Sequence, residues 1–285
     1  MIGSKLRVIV LTQGGCELAI NRLLDLDCIE IAGIFLETST VKHRSLRERI
    51  SRSVRYDGFV ETVLKLLRKL GGKNGSLDGR IATLNASRGR LREIAEQHRV
   101  PFHPLGDYHC QQSIELMRSA RADLGVLLGT NILRESVFQI PRLGSINLHQ
   151  GLAPYYRGGP SVFWELFNDE REVGLTIHNV APKVDTGDII LQRTIPLEYD
   201  YSYQLNHQAF IDDYCEKLKM PCANLLADAV SMIADGTALR IAQEPDLGKR
   251  YRLPTKEQKD ELRRRLRERR HQRDYQLAQG INIGD

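Results

Sequence analysis

The chain has 285 residues, of which 41% are hydrophobic and 27% are charged, and its formal net charge is +5. This length can bury a full core as one large α/β domain, so a scaffold held together by disulfides is not needed. Its 5 cysteines form no CxxC pair, which favours a reducing compartment, and we expect a cytoplasmic protein. No apolar run reaches the roughly 18 residues of a spanning helix, and "LRVIVL" is too short for a signal-peptide core, so neither a membrane span nor an export signal is expected.

Two segments hold most of the positive charge. Residues 42–94 contain 14 Lys and Arg against 5 Asp and Glu, and residues 251–275 contain 10 against 5. The rest of the chain is therefore net negative. Such basic segments could attract an anionic partner, although solvated helix faces would contain the same residues.

The N-terminal segments follow a β-α-β order. "KLRVIVLTQGG" predicts a strand that ends in a turn, "CELAINRLLDL" a helix, and "IEIAGIFLET" a second strand parallel to the first. The pair Gly14 and Gly15 could bring a phosphate close to a helix N-terminus, but the patterns GxGxxG and GxxxxGK[ST] are both absent. A tight turn is the simpler interpretation of this pair.

Residues 42–94 interrupt the alternation of strands and helices. "FVETVLKLLRKL" predicts an amphipathic helix, which could lie on an anionic surface or, more simply, pack on its own domain. "GGKNGSLDG" predicts a loop, and "SRGRLREIAEQH" predicts a further helix. We therefore interpret the segment as a basic helical insertion.

Alternation then resumes with five more strand candidates and interleaved helices. The strands are "VPFHPL", "ADLGVLLGTNIL", "GSINLHQG", "VGLTIHNV" and "DIILQRTIPL", and the helices lie around "CQQSIELMRSA" and "SVFWELFND". With the first two strands, this order predicts an α/β fold over residues 1–200, with a doubly wound, mostly parallel, Rossmann-like sheet.

Residues 201–285 predict a helical C-terminal extension. Thr255 and Gln258 form a possible capping box for a highly charged helix whose regular apolar residues are Leu262 and Leu266. With so few apolar residues, this helix could pack lightly on its own core or on a second subunit of a homodimer.

One strand contains a candidate active site. In "INLH", Asn147 and His149 are two positions apart, so their side chains lie on one face near the carboxyl end of the strand, where open α/β sheets place their sites. An amide can stabilise a developing negative charge, and an imidazole with an ordinary pKa near 6.5 can exchange a proton at neutral pH. Asp185 in "VDTGDII" is the candidate to orient the imidazole, and Asp188 is its competitor. A buried core histidine and a turn aspartate would give the same pattern.

A metal centre is not expected. His103, His109 and His207 lack cysteine or acidic partners at the spacing of metal ligands. The histidines that lie among charged residues are most simply solvated, and they are His43, His98 and His271.

The sequence from "INLHQGLAPYYRGGP" to "VDTGDIILQ" resembles the catalytic domain of the 10-formyltetrahydrofolate-dependent formyltransferases. This family includes glycinamide ribonucleotide transformylase, methionyl-tRNA formyltransferase and the sugar N-formyltransferases. Its motif joins an Asn-x-His strand, a loop with proline and a later Asp-x-Gly loop. Asn147 and His149 match the strand, Pro154 the first loop, and Asp185 with Gly187 the second. The resemblance covers residues 120–197 closely, extends to 5–40, and is absent from the insertion and the extension.

The chain departs from the family beside the histidine. The usual Ser-Leu-Leu-Pro is Gly151-Leu152-Ala153-Pro154 here, and the smaller residues are expected to leave room for a different acceptor. The "YRGG" that follows is closer to the sugar-modifying and methionyl-tRNA branches.

The resemblance implies that an acceptor amine attacks the formyl carbon of 10-formyltetrahydrofolate. Asn147 and protonated His149 would stabilise the tetrahedral oxyanion, and Asp185 would orient His149 and relay the proton to the departing folate nitrogen.

The resemblance also places the two substrates. Folate contacts are expected at the corner "GTNIL" and the loop after "TIHN", from Asn131, Ile132, Leu133, Val180, Val184 and Gly187. Acceptor contacts are expected from Tyr155, Tyr156, Arg157 and His178. For Arg157 a phosphate contact and a surface ion pair are both open, and His178 could equally be a core histidine.

The acceptor is expected to be an anionic small molecule, in the first place a nucleotide-linked amino sugar. The basic insertion follows the second strand, whose carboxyl end faces the same side as the site, so its charges could meet a diphosphate. The alternatives are a methionyl-tRNA formyltransferase that uses the basic C-terminal helix, although the β-barrel domain of that branch is not apparent, and an enzyme for another small amine. A binding protein of the same fold without turnover is a further alternative.

Overall fold

Apolar and β-branched segments form the strands of a central sheet. The structure, a computed structural model, describes residues 5–38, 75–244 and 246–279. The strands are β1 (Leu6–Thr12), β2 (Ile29–Glu37), β3 (Phe102–Leu105), β4 (Leu124–Leu128), β5 (Ser145–His149), β6 (Tyr156–Arg157), β7 (Glu172–Asn179), β8 (Ile189–Pro196) and β9 (Lys249–Arg250). Seven of them form one sheet in the order β3-β2-β1-β4-β5-β7-β8, and β6 pairs separately with β9.

The central sheet is mostly parallel, as the sequence predicts. Strands β3, β2, β1, β4 and β5 run parallel, whereas β7 is antiparallel to β5 and to β8. All seven strand predictions and the α/β fold class are confirmed. The antiparallel edge was not predicted; it follows because the short connection between β7 and β8 cannot provide the crossover that a parallel pair needs.

Helices cover both faces of the sheet. They are α1 (Glu17–Leu24), α2 (Gly75–Gln97), α3 (Gln111–Ser119), α4 (Glu135–Phe138), α5 (Phe163–Phe167), α6 (His207–Ala234) and α7 (Lys256–Ala278), with a 3-10 turn at Tyr201–Tyr203. Strand β1 has a continuous apolar sequence because Val8 and Val10 pack in one hydrophobic cluster while Ile9 and Leu11 pack in the other. No helix in the described ranges is long and apolar enough to span a bilayer.

The C-terminal helices pack on the sheet of their own chain. Helix α6 contacts α1, β7 and β8, and Leu262 and Leu266 of α7 are 0% exposed in the same hydrophobic cluster. The capping box is confirmed, because the Thr255 N–H donates to Gln258 Oε1 at 2.9 Å and the Gln258 N–H donates to Thr255 Oγ1 at 3.3 Å. Of the two alternatives for α7, packing on its own core is therefore the one observed. The boundary at residue 200 stays a prediction.

The basic insertion is described only from residue 75. The segment "FVETVLKLLRKL" lies outside the described residues. The loop prediction for "GGKNGSLDG" is wrong from Gly75 onward, where α2 begins. Ser87, Leu91 and Ala95 are buried on one face of this helix. Once these buried turns have formed, each residue added toward the N-terminus gains a backbone hydrogen bond. This gain offsets the weak helix propensity of the first turn.

Candidate active site

Four polar side chains meet at the carboxyl end of β5. Asp185 Oδ2 lies 3.6 Å from His149 Nδ1, and Asp185 Oδ1 lies 3.4 Å from His178 Nε2. The Asn147 amide Nδ2 lies 3.2 Å from His178 Nε2. The structure thus brings together the predicted Asn147, His149 and Asp185, with His178 as the group that links the amide to the carboxylate.

Strand pairing and an unusual loop conformation explain this arrangement. Asn147 and His178 are directly opposite in the antiparallel pair of β5 and β7, so their side chains are cross-strand neighbours. Asp185 adopts φ +54°, a left-handed conformation uncommon outside glycine, and its Oδ2 accepts the N–H of Gly158 at 2.9 Å. A Cβ at Gly187 would lie 1.8 Å from the Asn179 carbonyl oxygen, so only glycine fits there.

His149 is buried and both of its ring nitrogens have partners. Its Nε2 lies 2.6 Å from the carbonyl oxygen of Tyr156, which identifies Nε2–H as a donor, while Nδ1 faces Asp185. Burial lowers the pKa of His149, and the negative charge of Asp185 and the Tyr156 carbonyl offset part of this decrease. The charge of the His149 ring therefore depends closely on Asp185.

Asp185 remains ionised in this cluster. Burial alone raises its pKa, but the hydrogen bond with His178, the charges of both histidines and the Gly158 N–H outweigh burial and hold the pKa at about 2. His178 Nδ1 donates to the Asn179 carbonyl at 2.8 Å, so its Nε2 can accept the Asn147 amide when the ring is neutral and donate to Asp185 when it is protonated. The competitor Asp188 does not join the cluster; among the described residues its carboxylate has no hydrogen bond or ion pair.

The glycine beside the histidine does not provide extra room. A Cβ at Gly151 would lie 2.4 Å from both His149 Nε2 and the Tyr156 carbonyl oxygen. The expectation that this position leaves space for a different acceptor is therefore wrong, because the His149 ring and the carbonyl fill it.

The predicted folate residues surround the corner after β4 and the loop after β7. Ile132 is 69% exposed, and neither Ile132 nor Leu133 uses its backbone groups in a hydrogen bond within the described part of the chain. Asn131 donates its amide to Glu37 at 3.1 Å. Val180 donates its N–H to the Ser145 carbonyl at 2.7 Å and so cannot offer it to a ligand.

The remaining two predicted folate residues, Val184 and Gly187, differ in burial and in hydrogen bonding. Val184 is half-buried, whereas Gly187 is buried and its carbonyl accepts the Gln243 amide at 2.6 Å. Free backbone groups therefore remain at the corner.

The predicted acceptor residues fall in different environments. Tyr155 is 48% exposed, whereas the Tyr156 ring stacks on Tyr251 with centroids 5.2 Å apart. Arg157 is only 8% exposed and donates to the Leu247 carbonyl at 3.1 Å. The surface ion pair considered for Arg157 is therefore wrong.

A cavity of about 570 Å³ lies beside His149 and is formed by the turn after β1, the start of α1, the end of β5 and α6. Its charged side chains form two ion pairs: Arg90 with Glu17 at 3.0 Å and Lys219 with Glu216 at 2.7 Å. Sequence reasoning missed this set because the members are far apart along the chain. Two signals were available: Gly14 and Gly15, the pair that could bring a phosphate close to a helix N-terminus, line the cavity, and Arg90 belongs to the basic insertion.

The sequence is similar to that of known formyltransferases over part of its length. Residues 80–212 match the family model described as formyl transferase. A methionyl-tRNA formyltransferase of Parabacteroides distasonis is 34% identical over 131 residues, which are 46% of this chain and 38% of that protein. A methionyl-tRNA formyltransferase of Bacteroides thetaiotaomicron is 27% identical over 203 residues, which are 66% and 59% of the two proteins. The chain thus spans less than two thirds of the length of these curated relatives.

Solved structures of formyltransferases share the fold. Glycinamide ribonucleotide transformylase 1 from Symbiobacterium toebii superimposes with a TM-score of 0.54 at 16% identity, over 85% of this chain and 96% of that one. A 4-N formyltransferase from Francisella tularensis gives a TM-score of 0.51 at 15% identity, over 87% and 76%. At these identities the likeness concerns the fold alone. Residues 80–212 are thus similar in sequence to the formyl transferase family, and the fold is one that solved formyltransferases share.

Proposed function

We propose that the chain is an N-formyltransferase that transfers the formyl group of 10-formyltetrahydrofolate to a primary amine. The observation that supports this most strongly is the cluster of Asn147, His149, His178 and Asp185 beside a cavity large enough for a small molecule. The family match over residues 80–212 supports the same class of reaction.

In this proposal His149 and Asn147 act on the formyl oxygen. When the amine attacks the formyl carbon, the Nε2–H of His149 exchanges its hydrogen bond with the Tyr156 carbonyl for one with the developing oxyanion. The Asn147 amide donates its second N–H to the same oxyanion. Asp185, ionised at neutral pH, keeps His149 oriented and favours its charged form. A positioned acid or base contributes about 10²- to 10⁴-fold and an oxyanion donor about 10²- to 10³-fold, so these groups suffice for much of the rate enhancement.

The folate co-substrate is proposed to bind at the corner after β4. The unused backbone groups of Ile132 and Leu133 suit the hydrogen-bonding edge of a pterin, and the exposed Ile132 side chain offers an apolar contact. Val184 and Gly187 would close the other side of this pocket. Val180 is proposed to contribute packing alone, because its N–H is already used.

The acceptor is proposed to be a nucleotide-linked amino sugar that occupies the 570 Å³ cavity. Arg90, from the basic insertion, and Lys219 both line this cavity and could exchange their carboxylate partners for diphosphate oxygens. Tyr155, exposed beside the site, is a candidate contact for the sugar or base.

Methionyl-tRNA is the second candidate, because the curated relatives carry that name. Binding of methionyl-tRNA would require a basic protein surface that contacts the RNA phosphates. In α7, however, Arg263, Arg264 and Arg265 pair with Asp260 or Glu261, which reduces the charge available to RNA.

An acceptor panel tests the proposal. The protein is incubated with 10-formyltetrahydrofolate and, separately, amino-sugar nucleotides, amino acids and methionyl-tRNA, and formylated product is sought by mass spectrometry. Product with a sugar nucleotide supports the leading proposal, and product with methionyl-tRNA alone replaces it with the second candidate. No product with any amine would contradict formyl transfer.

We also propose a cytoplasmic enzyme, since all five cysteines are free thiols. Its catalytic domain would comprise residues 1–200, with residues 201–285 as a helical extension.

A further inference from the structure

Glu165 is a buried carboxylate that the proposed chemistry does not yet use. It lies in α5 and is 2% exposed, and neither carboxylate oxygen has a hydrogen-bond partner among the described residues. Burial raises its pKa to about 7, although the nearby backbone N–H groups of Val162 and Glu165 itself partly oppose the increase. A charged group in this position is costly unless something pairs with it, so an unpartnered carboxylate indicates a ligand or a proton.

Two further residues that line the same small cavity as Glu165 have a polar atom without a partner in the described part of the chain. These atoms are Ser161 Oγ and Arg157 Nε, and both are buried. The cavity has a volume of about 10 Å³. This is close to the minimum volume that holds one water molecule, which needs two to four polar partners. Glu165, Ser161 and Arg157 line the cavity and have polar atoms that are unpaired among the described residues.

The small cavity adjoins the acceptor cavity. Gln150, Gly159 and Ser161 line both spaces, and the larger one extends to His149. A water molecule in the small cavity would therefore lie beside Glu165 and next to the space proposed for the acceptor.

The proposed formyl transfer needs a group that takes a proton from the acceptor amine. An aliphatic amine is mostly protonated at neutral pH and must lose a proton before it can attack. The four-residue cluster is poorly suited to this step, because the low pKa of Asp185 makes it a weak base and His149 already serves as the donor to the oxyanion in the proposed mechanism. A carboxylate that titrates near neutral pH matches the requirement.

We infer that Glu165 accepts the proton of the acceptor's ammonium group through a water molecule held by Ser161 and Arg157, an inference that rests on the proposed function. The ammonium N–H bond breaks as the water takes this proton and passes one of its own to Glu165. The nitrogen regains its lone pair, and the carboxylate becomes a carboxylic acid that later releases the proton to solvent.

The charged and titratable groups around Glu165 leave it free to change protonation. Glu170, which follows α5, adds negative charge. Tyr214 and Cys215 of α6 are neutral at pH 7, and burial raises their pKa values further, to about 12 and about 11. Arg157 is the cation that lines the cavity.

The pH dependence of Glu165→Gln tests the inference. With a UDP-linked 4-amino sugar and 10-formyltetrahydrofolate, kcat/KM of E165Q should be about 10- to 100-fold below wild type at pH 7 and within about threefold at pH 9.5, where the amine loses its proton unaided. Glu165→Asp should retain more activity than E165Q at pH 7. The matched control is Glu172→Gln, which removes an exposed carboxylate on β7.

The outcomes separate the two proposals. An equal loss for E165Q at every pH, or no loss, would overturn the role of Glu165, whereas absence of product from the wild-type protein concerns the formyltransferase proposal. Infrared difference spectra of wild type against E165Q test Glu165 without an acceptor. A carboxylic acid band that disappears as the pH rises through neutrality supports the inference, and a carboxylate already ionised at pH 5 contradicts it.

Discussion

The His149 cluster and the Glu165 cavity are both buried and polar, but they differ in how their polar atoms are satisfied. In the cluster, both nitrogens of His149 and both oxygens of Asp185 have partners within the chain. Around Glu165, the carboxylate, Ser161 Oγ and Arg157 Nε have no partner within the described ranges. A satisfied cluster is fixed in geometry and charge, whereas an unsatisfied one retains the capacity to bind water or a proton. In the proposed mechanism the chain therefore orients its reacting groups in one place and leaves proton uptake to another.

The largest expected effect comes from His149→Ala in the satisfied cluster. It removes the proposed donor to the oxyanion, so kcat should fall by about 10²- to 10⁴-fold while folate binding is retained. Single-turnover kinetics and folate titration measure the two quantities. His98→Ala, an exposed histidine, is the matched control. Activity that survives in H149A would contradict the mechanism.

Asp185→Asn should lower kcat by about 10²-fold, because the ring of His149 loses the negative charge that favours its protonated form. Asparagine tolerates the left-handed backbone and can still accept the Gly158 N–H, so the fold should persist. The rate of D185N is compared with that of Asp188→Asn, which should stay close to wild type. If both variants lost activity equally, Asp185 would have no special role.

Glu165→Gln should change how stability depends on pH. The pKa of Glu165 is raised to about 7, so its favourable contribution is complete below the ordinary value near 4.5 and is lost as the pH rises through 7. Between pH 4.5 and a pH above 7, the unfolding free energy of wild type should therefore fall relative to that of E165Q by up to about 3 kcal/mol. Chemical denaturation at several pH values measures this, and curves that stay parallel would show that Glu165 is not perturbed.

Gly151→Ala is expected to have the smallest effect, a loss of about 1–3 kcal/mol in unfolding free energy, because its Cβ would meet the His149 ring and the Tyr156 carbonyl. Gly89→Ala in α2 is the control. No atom of the described residues lies within 4 Å of a Cβ built there, and alanine should stabilise that helix by about 1 kcal/mol. Thermal or denaturant unfolding measures both. A G151A variant as stable as wild type would mean that the ring relocates at little cost.

Sequence reasoning anticipated more of the satisfied cluster than of the unsatisfied one. Asn147 and His149 are two positions apart on a strand, and this spacing alone fixes their common face. Ser161 and Glu165 occur in a segment predicted simply as a helix, where nothing in the letters distinguishes a buried carboxylate from a solvated one. Burial depends on what α6 and the loop after β6 place over them.

The local pattern by itself determined the seven strands, the capping box of α7 and the position of Asn147 and His149 at a strand end. These features depend on residues close in sequence, whose periodicity and hydrogen bonding are largely local. Tertiary structure decided the antiparallel pairing that places His178 beside Asn147, the α6 wall of the 570 Å³ cavity and the burial of Glu165. Those features depend on which distant segments exclude water from one another, and that is settled only when the whole core packs.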